Sequence, residues 1–452
     1  MLDSTRPHLD AVVAREQAAR RVPSLVCGVV RDGALVWSGG RGRCVGTHGT
    51  QRPDADTQYR IGSITKTFTA ALIVRLSESG HLDLNDRVDA HVPEGPFPDA
   101  TLRDLLSHRA GIPAEPRGPW WERSRGGTYD DLVSANADAR GVLPVGERYH
   151  YSNTAFGVLA RVAEVHYGEP WNVAVHKQML APLGMSRTTY DPQNPHAQGY
   201  SVDALTGTVT PEPHQDTGAM AAAGQLWSTI EDLATWAAVL TGRHPDIVSP
   251  GALRSMSTPH SADPNERLNG AYGLGLRLRR GDDRLLIGHT GSMPGFLAAL
   301  FVDPDSGVGA VLLANTGYGL DLEGLSRELV ETTLRHEPVI EDEWTPTESV
   351  PDSFLELLGT WHWGNSPYRM TTDGATLALR PLGGSGGFTF EPRSDGTFVG
   401  TSGYQNGETL RVVRRADGSV SHLDIGTFCY TRVAYDPTVD YPGKGDEPDV
   451  LR

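Results

Sequence analysis

Between residues 336 and 353 the chain changes character. His336-Glu-Pro-Val-Ile-Glu-Asp-Glu-Trp-Thr-Pro-Thr-Glu-Ser-Val-Pro is acidic, proline-rich and without periodicity, so it reads as a linker. Before it, over residues 1–335, apolar residues recur at helical spacing between a few strand-like runs. Beyond it come short alternating strands. Asp373-Gly374, Asp395-Gly396 and Asp417-Gly418 recur every 22 residues, and Asp-Gly is a strong hairpin signal because both turn positions need positive φ. Regular hairpins of this kind predict an up-and-down sheet or small barrel over 354–436. A unit so short has only a modest core. The acidic segment 437–452 is expected to be a mobile tail.

A chain of 452 residues exceeds one ordinary domain and has ample length for a real core. Its formal charge of -16 argues against nucleic acid or an anionic membrane surface as the main partner. Cys27, Cys44 and Cys429 make neither a disulfide framework nor a zinc-ligand spacing, so no metal or cofactor is expected. Cys27 lies in an apolar strand-like run and should be buried. The N-terminus has no apolar signal core and no stretch is long enough to span a membrane, which predicts a cytoplasmic protein if Met1 is the true start.

In chain order, 6–21 reads as an amphipathic helix. The runs 24–30 and 34–38 flank Asp32-Gly33 as a hairpin. A helix follows Ser63 and stops at Gly80, and a short one covers 101–108. Segment 114–128 is irregular and carries Arg117, Trp120, Trp121, Arg123 and Arg125. Its tryptophans either line a binding mouth or pin the loop to the body. Residues 129–185 are mostly helical, and Ser228-Thr-Ile-Glu231 reads as a capping box. Three strands are expected over 284–291, 297–302 and 308–315, then a helix over 321–335.

Chemistry centres on Ser63-Ile-Thr-Lys66. Of 40 basic residues only three are lysine, and no other serine has a lysine three residues on. At a helix start Ser63 is near free backbone N–H groups, and Lys66 one turn on reaches the same side. A neutral lysine amine can take the proton that makes a serine nucleophilic. That requires its pKa to fall by roughly three units from about 10.4, close to 4 kcal/mol drawn from desolvation and neighbouring groups. Tyr151-Ser-Asn153 supplies a phenol that can pass a proton and an amide that can hold lysine and substrate. Tyr404-Gln-Asn406 matches the same pattern but sits between glycines, where a turn explains it. His289-Thr290-Gly291 closes a strand, with Gly291 allowing close backbone approach.

In this order the three motifs resemble the penicillin-recognising serine enzymes: class C β-lactamases, D-alanyl-D-alanine carboxypeptidases, D-aminopeptidases and related esterases. His289 stands where many members have lysine. Leu105-Leu-Ser-His-Arg-Ala-Gly-Ile-Pro, Pro182-Leu-Gly-Met and Gly224-Gln-Leu-Trp-Ser-Thr-Ile-Glu-Asp-Leu agree, although Arg109 and Ala110 replace the usual threonine and serine. The likeness covers about residues 8–335. It implies an α/β catalytic domain with an antiparallel five-stranded sheet, built from the N-terminal hairpin and the three late strands, flanked by helices and a helical subdomain. It further implies Ser63 as acylated nucleophile, Lys66 as base, Tyr151 as acid and base, and Asn153 as positioning residue. His289 would shape charge on the opposite wall, Thr290 and Gly291 would bind substrate, and the N–H groups of Ser63 and Ser292 would form the oxyanion hole.

The C-terminal part looks like the lipocalin-like domain appended to some D-peptidases and to stand-alone penicillin-binding-protein-type thioesterases. The chain most resembles the latter. The implied activity is transfer of a linear non-ribosomal peptide from a peptidyl carrier protein onto Ser63 and head-to-tail macrolactam release, favouring a D-residue at the acylating end. The implied alternative is hydrolytic: a D-stereospecific aminopeptidase or amidase, a D-alanyl carboxypeptidase-like peptidase, or an esterase. Docking an acidic carrier would need arginines such as Arg117, Arg123 and Arg125 to gather. On the last barrel strand Phe428, Tyr430 and Arg432 share a face, and Arg432 either meets peptide or makes a structural ion pair.

Overall fold

Strand β1, Ser24–Arg31, is apolar on both faces, and a strand like that needs a layer on each side. A computed structural model describes residues 1–452 other than 46–49, 268, 282, 341–342, 440–441 and 443–452. It divides the chain into two compact units, Met1–Ile340 and Glu341–Arg452. Of the expected tail, residues 440–441 and 443–452 lie outside the described ones.

In the first unit β1 pairs with β2 (Ala34–Gly42) across the Asp32-Gly33 turn. The other strands are β3 (Gly270–Tyr272), β4 (Arg277–Arg280), β5 (Leu285–Met293), β6 (Phe296–Asp303) and β7 (Val308–Ala314), and the sheet order is β2-β1-β7-β6-β5-β4-β3. Every neighbouring pair is antiparallel. The sheet therefore has seven strands where the resemblance implied five. The two extra ones are only three and four residues long, too short for alternation to show, and the Arg277-Leu-Arg-Arg280 run turns just Leu278 inward.

Alternation along β1 splits the core. Leu25, Cys27 and Val29 face α1 (Arg6–Ala19) and the late helix Leu322–His336, against Leu9, Val13, Leu329 and Val330. Val26 and Val30 face the larger cluster containing Phe68, Phe156, Trp227 and Trp236. Cys27 is fully buried, as its surroundings in sequence predicted. The helix Ile230–Leu240 begins one residue later than the expected box. Thr229 is its N-cap and accepts from the Asp232 N–H, because Ser228 is taken up in a two-residue strand, Trp227–Ser228, paired with Tyr59–Arg60.

The second unit is a closed barrel of eight antiparallel strands from Gly359 to Thr431. Its three Asp-Gly turns fall between successive strands, with Gly374, Gly396 and Gly418 at φ of +94°, +83° and +87°. Arg432 donates to the carbonyls of Glu356, Leu358 and Thr360 and stacks 3.8 Å over the Trp361 ring, so it ties the barrel together, with no ion pair among the described residues. Tyr404 lies exposed in a short turn, as the glycines around that second Tyr-x-Asn predict. Among the described residues no helix is long and apolar enough to cross a membrane.

Candidate active site

The two-residue strand Tyr59–Arg60 runs into a single 3-10 turn, Gly62–Ile64, and then into α2, Thr65–Glu78. Ser63 thus sits in the turn just ahead of the helix. Two glycines weld this turn to β5. Gly62 is at φ +51° and a Cβ there would come 2.5 Å from Ser292 N; a Cβ on Gly291 would come 1.9 Å from the Ile61 carbonyl and 3.3 Å from Ser63 N. Only the bare backbone lets the amides of Ser63 and Ser292 approach each other.

Lys66 has no exposed surface. Its Nζ donates to Ser63 Oγ at 2.9 Å and to the Ala223 carbonyl at 2.6 Å, and it lies 5.1 Å and 5.5 Å from the ring centres of Tyr151 and Phe156. Burial lowers its pKa to about 7, against the pull of the Glu115 and Glu122 carboxylates and with the help of Arg277. Near neutral pH a large share of Lys66 is therefore the free amine. Tyr151 precedes the helix Asn153–Tyr167 and shares a hydrogen bond with Ser63; desolvation raises its pKa above the ordinary phenol range, so it keeps its proton. Its place is set by Ser152, whose N–H donates to His108 Nδ1 at 3.1 Å and whose Oγ donates to the Pro113 carbonyl at 2.7 Å.

Asn153 opens that helix, and its Nδ2 donates to Glu115 Oε1 at 2.7 Å. The other oxygen of Glu115 accepts from Trp121 Nε1 at 2.7 Å. Glu115 is a site residue that reading the sequence missed; nothing in its spacing marks it, and only the fold brings it to Asn153. The paired tryptophans divide the two readings of their loop. Trp121 is buried and anchored, while Trp120 is 62% exposed and stacks 4.1 Å from the Arg123 guanidinium. Arg117 and Arg123 do not form a basic patch, since they pair with Asp138 and Glu212.

His289 on β5 is 1% exposed. Its Nδ1 donates to the Thr290 carbonyl at 2.5 Å and its Nε2 accepts from Tyr272 Oη at 2.9 Å, an assignment that requires a neutral ring. Burial, with Arg277 and Lys66 nearby, holds its pKa well below the ordinary range. The positive charge on this wall accordingly comes from Arg277, 24% exposed and paired with Glu323 at 2.8 Å, and not from His289. Arg277 belongs to a strand too short to be seen in the sequence, which is why it was missed. Thr290, next along β5, alternates to the other face and is half-buried. Around one serine hydroxyl the fold thus gathers a partly neutral amine, a protonated phenol and two neighbouring backbone N–H groups, the parts needed to form and resolve an acyl-serine.

Comparison with known proteins identifies the family. Residues 350–432 match a domain of unknown function, DUF7586. The unguisins hydrolase ungD' of Aspergillus campestris is 27% identical over 67% of this chain and 60% of that protein. The chain spans 60–63% of the length of the first curated relatives it matches. The crystal structure of SurE aligns at 26% identity over 95% of this chain and 99% of that one, with a TM-score of 0.59. A D-stereospecific amidohydrolase from Streptomyces sp. aligns at 26% identity over 73% and 97%, with a TM-score of 0.60. Residues 9–333 match the Beta-lactamase family, and the chain belongs to that family of serine hydrolases and acyltransferases.

Proposed function

We propose that this protein is a trans-acting thioesterase that takes a linear non-ribosomal peptide from a carrier protein onto Ser63 and releases it as a head-to-tail macrolactam, in the cytoplasm, with a D-residue preferred at the acylating end. The observation that carries the chemistry is the contact of Lys66 with Ser63 at 2.9 Å, made by an amine whose pKa is about 7. Neutral Lys66 takes the Ser63 proton as Oγ attacks the thioester carbonyl. The oxyanion that forms is held by the N–H groups of Ser63 and Ser292. Collapse breaks the C–S bond, and the departing thiolate takes a proton from the Lys66–Tyr151 pair. The peptide's own amine then attacks the acyl-serine: the C–N bond forms, the C–Oγ bond breaks, and the amine's proton passes through the same pair to Oγ, which regenerates Ser63. A cyclase must present that amine ahead of water, and good orientation is worth effective molarities of about 10⁵–10⁸ M.

One likeness supports a two-unit enzyme that accepts a D-residue. Similarity to SurE runs through both units, and SurE has also been solved with D-Leu. One observation favours the hydrolytic reading: the Glu115 carboxylate on Asn153 offers a partner for a free ammonium beside the acyl carbon. An aminopeptidase or amidase substrate has that group, and the acylating residue of a peptide does not. The D-stereospecific amidohydrolase is a relative of that kind by name.

Incubation with a peptidyl N-acetylcysteamine thioester ending in a D-residue tests the choice. Macrolactam as the main product is expected. Hydrolysed acid alone would remove the cyclase reading, and turnover of D-amino acid amides with free amines would replace it with the hydrolytic one.

A further inference from the structure

We propose that His422, Asp424 and Cys429 form a zinc site on the outer face of the barrel. The sequence has no zinc-finger spacing, but the last hairpin assembles three ligands. His422 and Asp424 are two residues apart on the strand Val420–Ile425, so they share a face, and Cys429 on the strand Phe428–Thr431 sits directly opposite Asp424. The alternate residues Leu423, Ile425 and Tyr430 fill the barrel interior, so the three ligands lie on the opposite face of the hairpin, where His422 is only 8% exposed.

Their donor atoms all lie within 4.8 Å of one another, and His422 Nε2 is 3.2 Å from an Asp424 oxygen. Zinc–ligand bonds of 2.0–2.3 Å place tetrahedral donors about 3.3–3.8 Å apart. The imidazole–carboxylate pair, at 3.2 Å, is already close to that separation, and the thiol lies within 4.8 Å of both. His422 Nδ1 is 3.1 Å from Ser421 Oγ, a hydrogen bond that leaves Nε2 as the ligating nitrogen. Cys429 is a free thiol. Thiolate, imidazole and one carboxylate suit zinc and not calcium or magnesium, which take oxygen donors.

The test uses the full chain stripped of metal with a chelator. Calorimetric titration with zinc should give one ion per chain. Cobalt(II) should give a thiolate-to-cobalt charge-transfer band that saturates at one equivalent and disappears in Cys429→Ser. Ser421→Ala should weaken zinc binding roughly tenfold by freeing the imidazole. Absence of saturable one-to-one binding overturns the proposal, as does a charge-transfer band that survives Cys429→Ser, which would place the metal at Cys27 or Cys44. If Cys429→Ser does not fold, Asp424→Asn serves instead: loss of tight zinc binding with the barrel's circular dichroism intact is expected, and unchanged affinity is fatal to the site.

Discussion

Lys66, His108 and His289, each at most 1% exposed, lie at the centre of the first unit, whereas the interior of the barrel holds Trp361, Met370, Leu379, Phe390, Leu410 and Leu423. In the first unit burial changes protonation: it makes an amine partly neutral and keeps two histidines uncharged. In the barrel the same physics serves cohesion, and an eight-stranded barrel is narrow enough for its own side chains to fill. The comparison teaches that burial in the first unit partly serves to hold reactive groups out of water, whereas in the barrel it serves packing alone.

The sharpest way to break this contrast is Lys66→Arg. Arginine keeps the charge but stays protonated at any usable pH, so it cannot serve as base. Acylation of Ser63 by a thioester, followed by mass spectrometry, should fall about 10²–10⁴-fold. A variant with full activity would show that the neutral amine is not used. In the wild type the acylation rate should rise with pH through about 7 as Lys66 loses its proton.

Trp361→Ala probes the other side. Emptying the centre of the barrel should cost about 3–5 kcal/mol, read from denaturant unfolding of the C-terminal unit. A cost under about 1 kcal/mol would mean the barrel core is not what holds that unit together.

Lys66→Met links the two sides. Because the folded-state pKa of Lys66 is lowered to about 7 from 10.5, the unfolded chain binds more protons between those values. This group's contribution to stability therefore rises with pH across that window and is at its most unfavourable below pH 7. Replacing it with an uncharged side chain of similar length should stabilise the first unit at pH 7 by about 1–3 kcal/mol while abolishing acylation. Unchanged or lower stability would contradict the idea that the site is held at a cost.

Most of this architecture could be read from residues, and the parts that could not have a common cause. The Asp-Gly turns at 373, 395 and 417 announced the barrel because hairpin chemistry is local. Ser63, Lys66, Tyr151 and His289 stood out because their motifs are short and contiguous. Strands β3 and β4, with Tyr272 and Arg277 on them, were invisible because three or four residues carry no period. The cap at Thr229 and not Ser228 depended on a strand pairing with Tyr59 that no local rule announces. Glu115 was hidden for the same reason, since its partners Asn153 and Trp121 are 38 and 6 residues away.

Glu115 supplies the smallest and most discriminating change. Both of its oxygens are engaged, one by Asn153 and one by Trp121, and its charge works against the lowering of the Lys66 pKa. Glu115→Gln removes that charge and leaves a single acceptor for two donors. Two consequences separate charge from packing. The midpoint of the acylation pH profile should move below about 7, because nothing then offsets the desolvation of Lys66 to the same degree. The preference for D-amino acid amides with a free amine over their N-acetylated forms should fall about tenfold, the worth of roughly 1.4 kcal/mol. A midpoint that stays in place would show that Lys66 does not feel this carboxylate. A preference that stays in place would show that substrate amines are recognised elsewhere, and the case for a hydrolytic amidase would lose the one observation that favours it over the cyclase.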